Sequence, residues 1–301
     1  MNKVLITGTL GFIFSNFVRR FAYEFPIIGV DKAVYPYNLD NAFNGLDNFY
    51  LADICDEHII DRIFSIERPS VVIGGAAESF VDNSITDVRP FLHTNIIGTQ
   101  TIVNACLKYG IRYIHISTDE VFGQQISRDA KPWTENSPIA PRNPYAASKA
   151  CAEHIVIAAH HTHGLDYTIT RSCNVYGPRQ KAENLIPHII TSILQDKPVN
   201  IHGNGENFRQ YIYVNDVCDA IYQVLVNDRE RLVNIGGSTV LSNIEMVEAI
   251  SSLMGDRAPT MKFIPDRKAH DFGYLISSAY EPKVPFLDGM KETIKFYEAK
   301  Q

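Results

Sequence analysis

The chain has 301 residues, of which 45% are hydrophobic and 21% charged, and a formal net charge of −6. This composition excludes disordered and fibrous classes, and an acidic chain without a dense Lys/Arg run offers no footprint for nucleic acid or a membrane surface, so a small-molecule partner is expected. Five scattered cysteines without CxxC spacing, and no apolar stretch of the roughly 18 residues that span a bilayer, lead to the expectation of a cytoplasmic protein.

The first element is VLIT (4–7), an apolar run short enough for a strand buried on both faces. Gly8-Thr9-Leu10-Gly11 follows, and then SNFVRRFAY, which has helical periodicity. A glycine turn between strand and helix lets the backbone approach a pyrophosphate at the positive end of the helix. The second strand, PIIGV (26–30), runs into Asp31 about 20 residues later, where a carboxylate can accept both adenosine-ribose hydroxyls and repel a 2′-phosphate. NAD is therefore the expected cofactor. Phe14 stands where the usual third glycine lets the helix pack close. Either the helix shifts outward or the ring turns into the core, and glycine at 14 is expected to tighten NAD binding.

SVVIG (70–74), YIHIS (113–117) and YTITR (167–171) read as further buried strands, with helices over 89–109 and 145–163 between them. YIHIS ends in Thr118-Asp119-Glu120, at the carboxyl edge where ligands of such sheets bind. Of two adjacent carboxyls, one can stay protonated as an acid while the other remains a base. Tyr145 and Lys149 stand at i and i+4 on one helix face, and a cation beside a phenol lowers its pKa toward that of a usable base. The His160, His161 and His163 cluster precedes Gly164 at a helix end, where histidines favour the helix dipole, and no metal is expected.

After residue 175 the rhythm changes to an irregular YGPRQKAENLIP stretch, a helix at 185–196, and the strand-like VNIHG, RQYIYV and RLVNIGG. The whole pattern predicts an α/β fold: a Rossmann-like doubly wound parallel sheet with a smaller C-terminal substrate-binding lobe. The expected division is an NAD-binding domain over 1–175, with sheet elements returning near 208–240, and a nucleotide-sugar-binding lobe over 176–301.

GTLGFI, AAESFVDNS (76–84), FLHTN (91–95), STDEVFG (117–123), NPYAASK (143–149), SCNVYGPRQ (172–180), FRQYIYVND (208–216) and NIGG (234–237) occur in order along the chain. Together they resemble the extended short-chain dehydrogenase/reductase family of NAD-dependent epimerases and dehydratases, most of all its dTDP-glucose 4,6-dehydratase branch. The resemblance implies a hydro-lyase that converts a dTDP- or UDP-hexose into a 4-keto-6-deoxy sugar and water. It implies that Tyr145, with Thr118 and Lys149, takes the O4 proton, that Glu120 takes the C5 proton, and that Asp119 protonates the departing C6 hydroxyl. Gly8, Gly11, Phe12, Ile13, Asp31, Lys32, Asp53, Ile54, Ala76, Ala77, Ser79, Thr94, Tyr145 and Lys149 match cofactor-binding positions. Ser79, Asp82, Thr118, Asn174, Asn184, Leu185, Arg209, Asn215 and His270 match positions that hold the nucleotide sugar, Arg209 being suited to a pyrophosphate. A homodimer built through helices 89–109 and 145–163 is implied as well. Besides Phe14, the sequence departs from the family pattern at Phe80 and Phe272. A 4-epimerase, or a non-catalytic dinucleotide-binding module, would keep the tyrosine, the lysine or the glycine turn without needing Asp119.

Overall fold

The computed structural model describes residues 3–34, 45–227, 230–255 and 259–300. Its first strand, β1 (Val4–Thr7), is fully buried and leads through the glycine turn into α1 (Phe12–Phe21). Then come β2 (Ile27–Asp31), β3 (Asn48–Leu51), α2 (Glu57–Glu67) and β4 (Val71–Gly74). Asp56 starts α2 by accepting a hydrogen bond from Ile59 N, a local signal of the N-cap type. After α3 (Val81–Thr86), the stretch expected as one helix over 89–109 divides. It consists of α4 (Arg89–Phe91), a π-helical segment Leu92–Gly98, and α5 (Thr99–Tyr109). Apolar periodicity cannot reveal that change of pitch, and Thr94 and Asn95 are among the buried residues of the π-helical segment.

β5 (Arg112–Thr118) ends in a short 3₁₀ turn, Asp119–Phe122. α6 (Pro144–His163) is bounded by local chemistry: Asn143 caps its start, Pro144 occupies the first turn, and Gly164 closes it with φ +73°. There His160 Nδ1 bonds the Leu165 carbonyl, so the histidine cluster belongs to the helix end, as its position before Gly164 implied. β6 (Tyr167–Ser172) and β7 (Asn174–Tyr176) follow, then α7 (Leu185–Leu194), β8 (Val199–His202), β9 (Phe208–Tyr213) and α8 (Val214–Val226). The chain finishes with β10 (Leu232–Ile235), β11 (Thr239–Ser242), α9 (Asn243–Leu253), β12 (Met261–Ile264), β13 (Gly273–Tyr274) and α10 (Phe286–Glu298).

Seven strands form a wholly parallel sheet in the order β10-β6-β5-β4-β1-β2-β3. The order reverses between β1 and β4, which places a ligand crevice at their carboxyl ends. One apolar layer joins α1 and α8 to the sheet, with Phe21 stacked on Tyr222 at 4.4 Å. The other buries Ile60 and Phe64 of α2, Ile102 and Cys106 of α5, and Val156 of α6. Of the stretch 208–240, only Leu232–Ile235 joins this sheet. β9 instead centres a second sheet with β7, β11 and β13, while β8 and β12 pair by themselves.

Behind the crevice, Arg171 of β6 and Glu153 of α6 form a buried ion pair with an N–O distance of 2.7 Å. Arg171 also donates to the Glu135 carbonyl and lies 4.8 Å from the Phe122 ring centroid. Removing one partner strands the other charge, so Arg171→Met is expected to cost about 3–5 kcal/mol in urea unfolding. Arg171→Met/Glu153→Leu should recover most of that loss; a single variant as stable as the parent would show that Glu153 finds another partner.

Candidate active site

A crevice of about 660 Å³ opens along the carboxyl ends of the central strands and is closed on its far side by the second sheet and α7. At one end lies the glycine turn. Gly8 has φ +78°, a conformation that costs glycine little, and any Cβ there would sit 2.8 Å from Ala76 N. Gly11 precedes α1, whose free N–H groups face the crevice together with Phe12 and Ile13. The Asp31 carboxylate accepts hydrogen bonds from Leu10 N at 3.0 Å and Ala33 N at 2.9 Å. It therefore clamps the turn as well as lining the crevice, and burial raises its pKa against those bonds. Lys32 donates to Thr94 Oγ1 and pairs with Glu78, both at 3.1 Å. Ile54, Ala76, Ala77, Ser79 and Thr94 complete this wall. A close-approach turn, a helix N-terminus and an acidic strand end fit a dinucleotide.

Thr118, Asp119, Glu120, Tyr145 and Lys149 converge in the middle of the crevice. Asp119 is 2% exposed, and its Oδ2 has no hydrogen-bond partner among the described residues. Burial, reinforced by the charge of Glu120, pushes its pKa up to about 8, against the pull of Arg209 and the Thr118 hydroxyl. Glu120 is raised too, by burial, but Asn143 donates to its Oε2 at 2.8 Å and both Arg209 and Arg267 favour its charge. Burial thus raises both carboxyls, while Asn143, Arg209 and Arg267 favour the charge on Glu120, and Arg209 and the Thr118 hydroxyl favour that on Asp119.

The tyrosine departs from expectation. Burial and then the Glu120 charge hold the Tyr145 phenol above its ordinary value, with the Thr118 hydroxyl pulling it down. Lys149 Nζ is instead committed to the Ile116 carbonyl at 2.6 Å, and burial lowers its pKa to about 8. Helical spacing brings the two residues to one face, but the lysine's reach is decided by the strand beneath it.

Toward the second sheet the crevice is lined by Asp82, Asn174, Asn184, Leu185, Arg209 and His270. Arg209 is held by the Phe208 and Asp271 carbonyls and lies 4.8 Å from the Tyr274 ring centroid, which fixes the guanidinium without neutralising it. His270 Nδ1 meets Asp266 at 2.6 Å, yet burial and the neighbouring Arg267 lower its pKa to about 4, so the ring is neutral at pH 7.

Two expected residues lie outside. Asp53 accepts from Cys55 N at 2.9 Å and is not part of the crevice wall, although Ala52 and Ile54 on either side are. Asn215 sits in the first turn of α8, away from the crevice, because β9 delivers Arg209 to it and then turns off. Asp53, Cys55 and His93 do gather within 4.8 Å of one another. Their contacts serve the fold, since Asp53 accepts from the Cys55 backbone and Cys55 Sγ donates to the His93 carbonyl.

Sequence reading missed Asn95 and Asn143. Asn95 receives Glu78 N at 2.8 Å and donates to Glu78 O and Ser148 Oγ, tying the β4 exit to the turn of α6 that carries Lys149. A single sequence holds no signal for that bridge. Asn143 was within reach: Asn before Pro at a helix start is a cap signature, and its amide also orients Glu120.

A model of the NAD dependent epimerase/dehydratase family matches residues 4–236, from β1 through β10. The chain belongs to that family. Similar to it is a dTDP-glucose 4,6-dehydratase of Streptomyces niveus, 37% identical over 315 residues that cover 98% of this chain and 92% of the relative. Among solved structures, DesIV, a dTDP-glucose 4,6-dehydratase from Streptomyces venezuelae with NAD and TYD bound, is 36% identical with a TM-score of 0.91, covering 99% of this chain and 97% of that one. UDP-glucose 4-epimerase from Thermotoga maritima with UDP-glucose is 28% identical with a TM-score of 0.92, covering 99% of both chains. Among the described residues, no helix is long and apolar enough to cross a membrane.

Proposed function

We propose that this chain is an NAD-dependent nucleotide-sugar 4,6-dehydratase acting on a dTDP- or UDP-hexose. The carrying observation is Asp119, a buried acid poised near pH 8 beside Glu120 and Tyr145 in the crevice that also holds the glycine turn. Epimerisation at C4 needs no acid for a departing C6 hydroxyl, so this group favours dehydration over the epimerase activity of the Thermotoga relative. Residues 1–175 with β10 bind the cofactor, and most of 176–301 holds the nucleotide sugar.

When bound, NAD supplies a hydride acceptor at C4 and a hydride donor at C6. The turn at Gly8 and Gly11 with the α1 N-terminus cradles the diphosphate, while Asp31 receives the ribose hydroxyls and disfavours a 2′-phosphate. Tyr145, helped by the Thr118 hydroxyl and the ammonium of Lys149, takes the proton from sugar O4. The 4-ketone acidifies C5–H, Glu120 accepts that proton, and Asp119 gives its own to the leaving C6 oxygen; as C6 is reduced, Glu120 returns its proton to C5. Burial keeps Asp119 away from bulk water and favours its protonated form. Arg209 neutralises the substrate diphosphate, and Asn174, Asn184, Leu185 and His270 orient the nucleotide sugar.

A homodimer through the 89–109 and 145–163 stretches belongs to the same reading, supported by the exposed Leu92 and Ile97 of the π-helical segment; a cytoplasmic setting belongs to it as well. The decisive experiment incubates the protein with NAD and a panel of dTDP- and UDP-hexoses, scoring the alkaline absorbance of a 4-keto product. A dTDP-hexose is expected to give a 4-keto-6-deoxy sugar. A C4 epimer without loss of water would overturn the assignment.

A further inference from the structure

We propose that Phe14 and Gly75 form a reciprocal pair: the aromatic ring of α1 occupies the volume that a side chain at 75 would fill, and this exchange holds the α1 N-terminus at the diphosphate cradle. The inference deepens the dehydratase reading and rests on the crevice binding NAD. Phe14 is 3% exposed and meets Phe17 edge-on at 5.9 Å, so its ring has turned into the core. A Cβ added to Gly75 would lie 1.9 Å from Phe14 Cε2 and 2.4 Å from Cδ2. Gly75 is not among the positive-φ glycines, so its backbone is one that other residues adopt. Space alone requires glycine there.

Neither partner can retreat. Gly75 N and Ala76 N both donate to Thr7 Oγ1 at 3.1 Å, which pins the β4 exit to the end of β1. Backbone of the same exit packs against Gly8, where an added Cβ would come within 2.8 Å of Gly75 C. On the helix side, Asn16 Nδ2 donates to the carbonyls of Phe12 and Pro178, anchoring α1 to the loop after β7. A side chain at 75 therefore drives the ring out toward the crevice, which both residues line. Glycine at 14, in turn, leaves a void beside Phe17, so the expectation that it tightens NAD binding is reversed. Gly75 is accordingly a positioning residue whose partner is Phe14.

The test is a double-mutant cycle on the full-length protein with Phe14→Gly, Gly75→Leu and Phe14→Gly/Gly75→Leu, measuring NAD affinity, affinity for a free nucleoside diphosphate, thermal midpoint, and kcat and KM. Gly75→Leu should weaken NAD by about 10- to 100-fold, the range implied by overpacking, and Phe14→Gly should weaken it by a smaller factor. The double variant should return to within about 3-fold of the parent, a non-additivity that only contacting residues show. Affinity for dTDP, used as the free nucleoside diphosphate because it addresses the Arg209 side of the crevice, should stay constant, and kcat at saturating NAD should recover in the double variant. If Gly75→Leu does not fold, Gly75→Ala with Phe14→Ala supplies the same cycle with smaller steps. Additive losses in a protein whose parent binds NAD would overturn the pair and leave the dehydratase reading standing. A parent with no NAD affinity would sink both.

Discussion

Asp119→Asn is expected to leave oxidation at C4 intact and to slow loss of water by about 10²- to 10⁴-fold, the usual contribution of a positioned proton donor. Asparagine keeps the shape of the side chain and removes the proton that the C6 oxygen needs. Because burial and Glu120 raise the Asp119 pKa to about 8, the acid is protonated below that pH and ionises above it. The elimination step in the parent should therefore fall as pH rises through about 8, and in Asp119→Asn it should be slow and flat across the same interval. Single-turnover measurement separates the steps: reduced cofactor should accumulate, and C5–H should still exchange with deuterated solvent through Glu120. A variant that eliminates water at the parental rate would show that another group is the acid.

Tyr145→Phe is expected to block the cycle one step earlier, lowering C4 oxidation by about 10²- to 10⁴-fold as the general base is lost. Phenylalanine preserves the edge-to-face contact with Phe91 at 6.4 Å, so folding should be little changed. Neither reduced cofactor nor C5 exchange should appear, and this sets it apart from Asp119→Asn. The Lys149 ammonium, with its pKa lowered to about 8, should impose a pH dependence of the same direction on oxidation. Above about pH 8 Lys149 loses the positive charge that the proposed mechanism enlists, so the oxidation step should weaken there even in Asp119→Asn. Ready formation of the 4-ketone by Tyr145→Phe would remove the phenol from its role.

Much of the fold was legible because its signals are local. Short apolar runs such as VLIT and the IIGV of the second strand are buried on both faces, and α6 is delimited by Asn143, Pro144 and Gly164, which act within one turn. The π-helical segment Leu92–Gly98 was not legible, since the same apolar residues satisfy either pitch. That Asn215 starts α8 and is not among the residues lining the crevice was not legible either: motif spacing along FRQYIYVND carries Arg209 into the crevice but says nothing about where the chain leaves it.

The amino-acid sequence by itself determined the parallel sheet, the glycine turn with Asp31, and the residue types of the reactive group, because each is carried by composition, periodicity and spacing along the chain. Tertiary structure alone decided how deeply Asp119 and Glu120 are buried, where Lys149 Nζ is bound, and how Phe14 is accommodated. Those outcomes depend on desolvation and on contacts such as Asn143 with Glu120, Lys149 with Ile116 and Phe14 with Gly75, which join residues 23 to 61 positions apart. Burial and steric exclusion act through space, and a pattern read along one chain does not contain them.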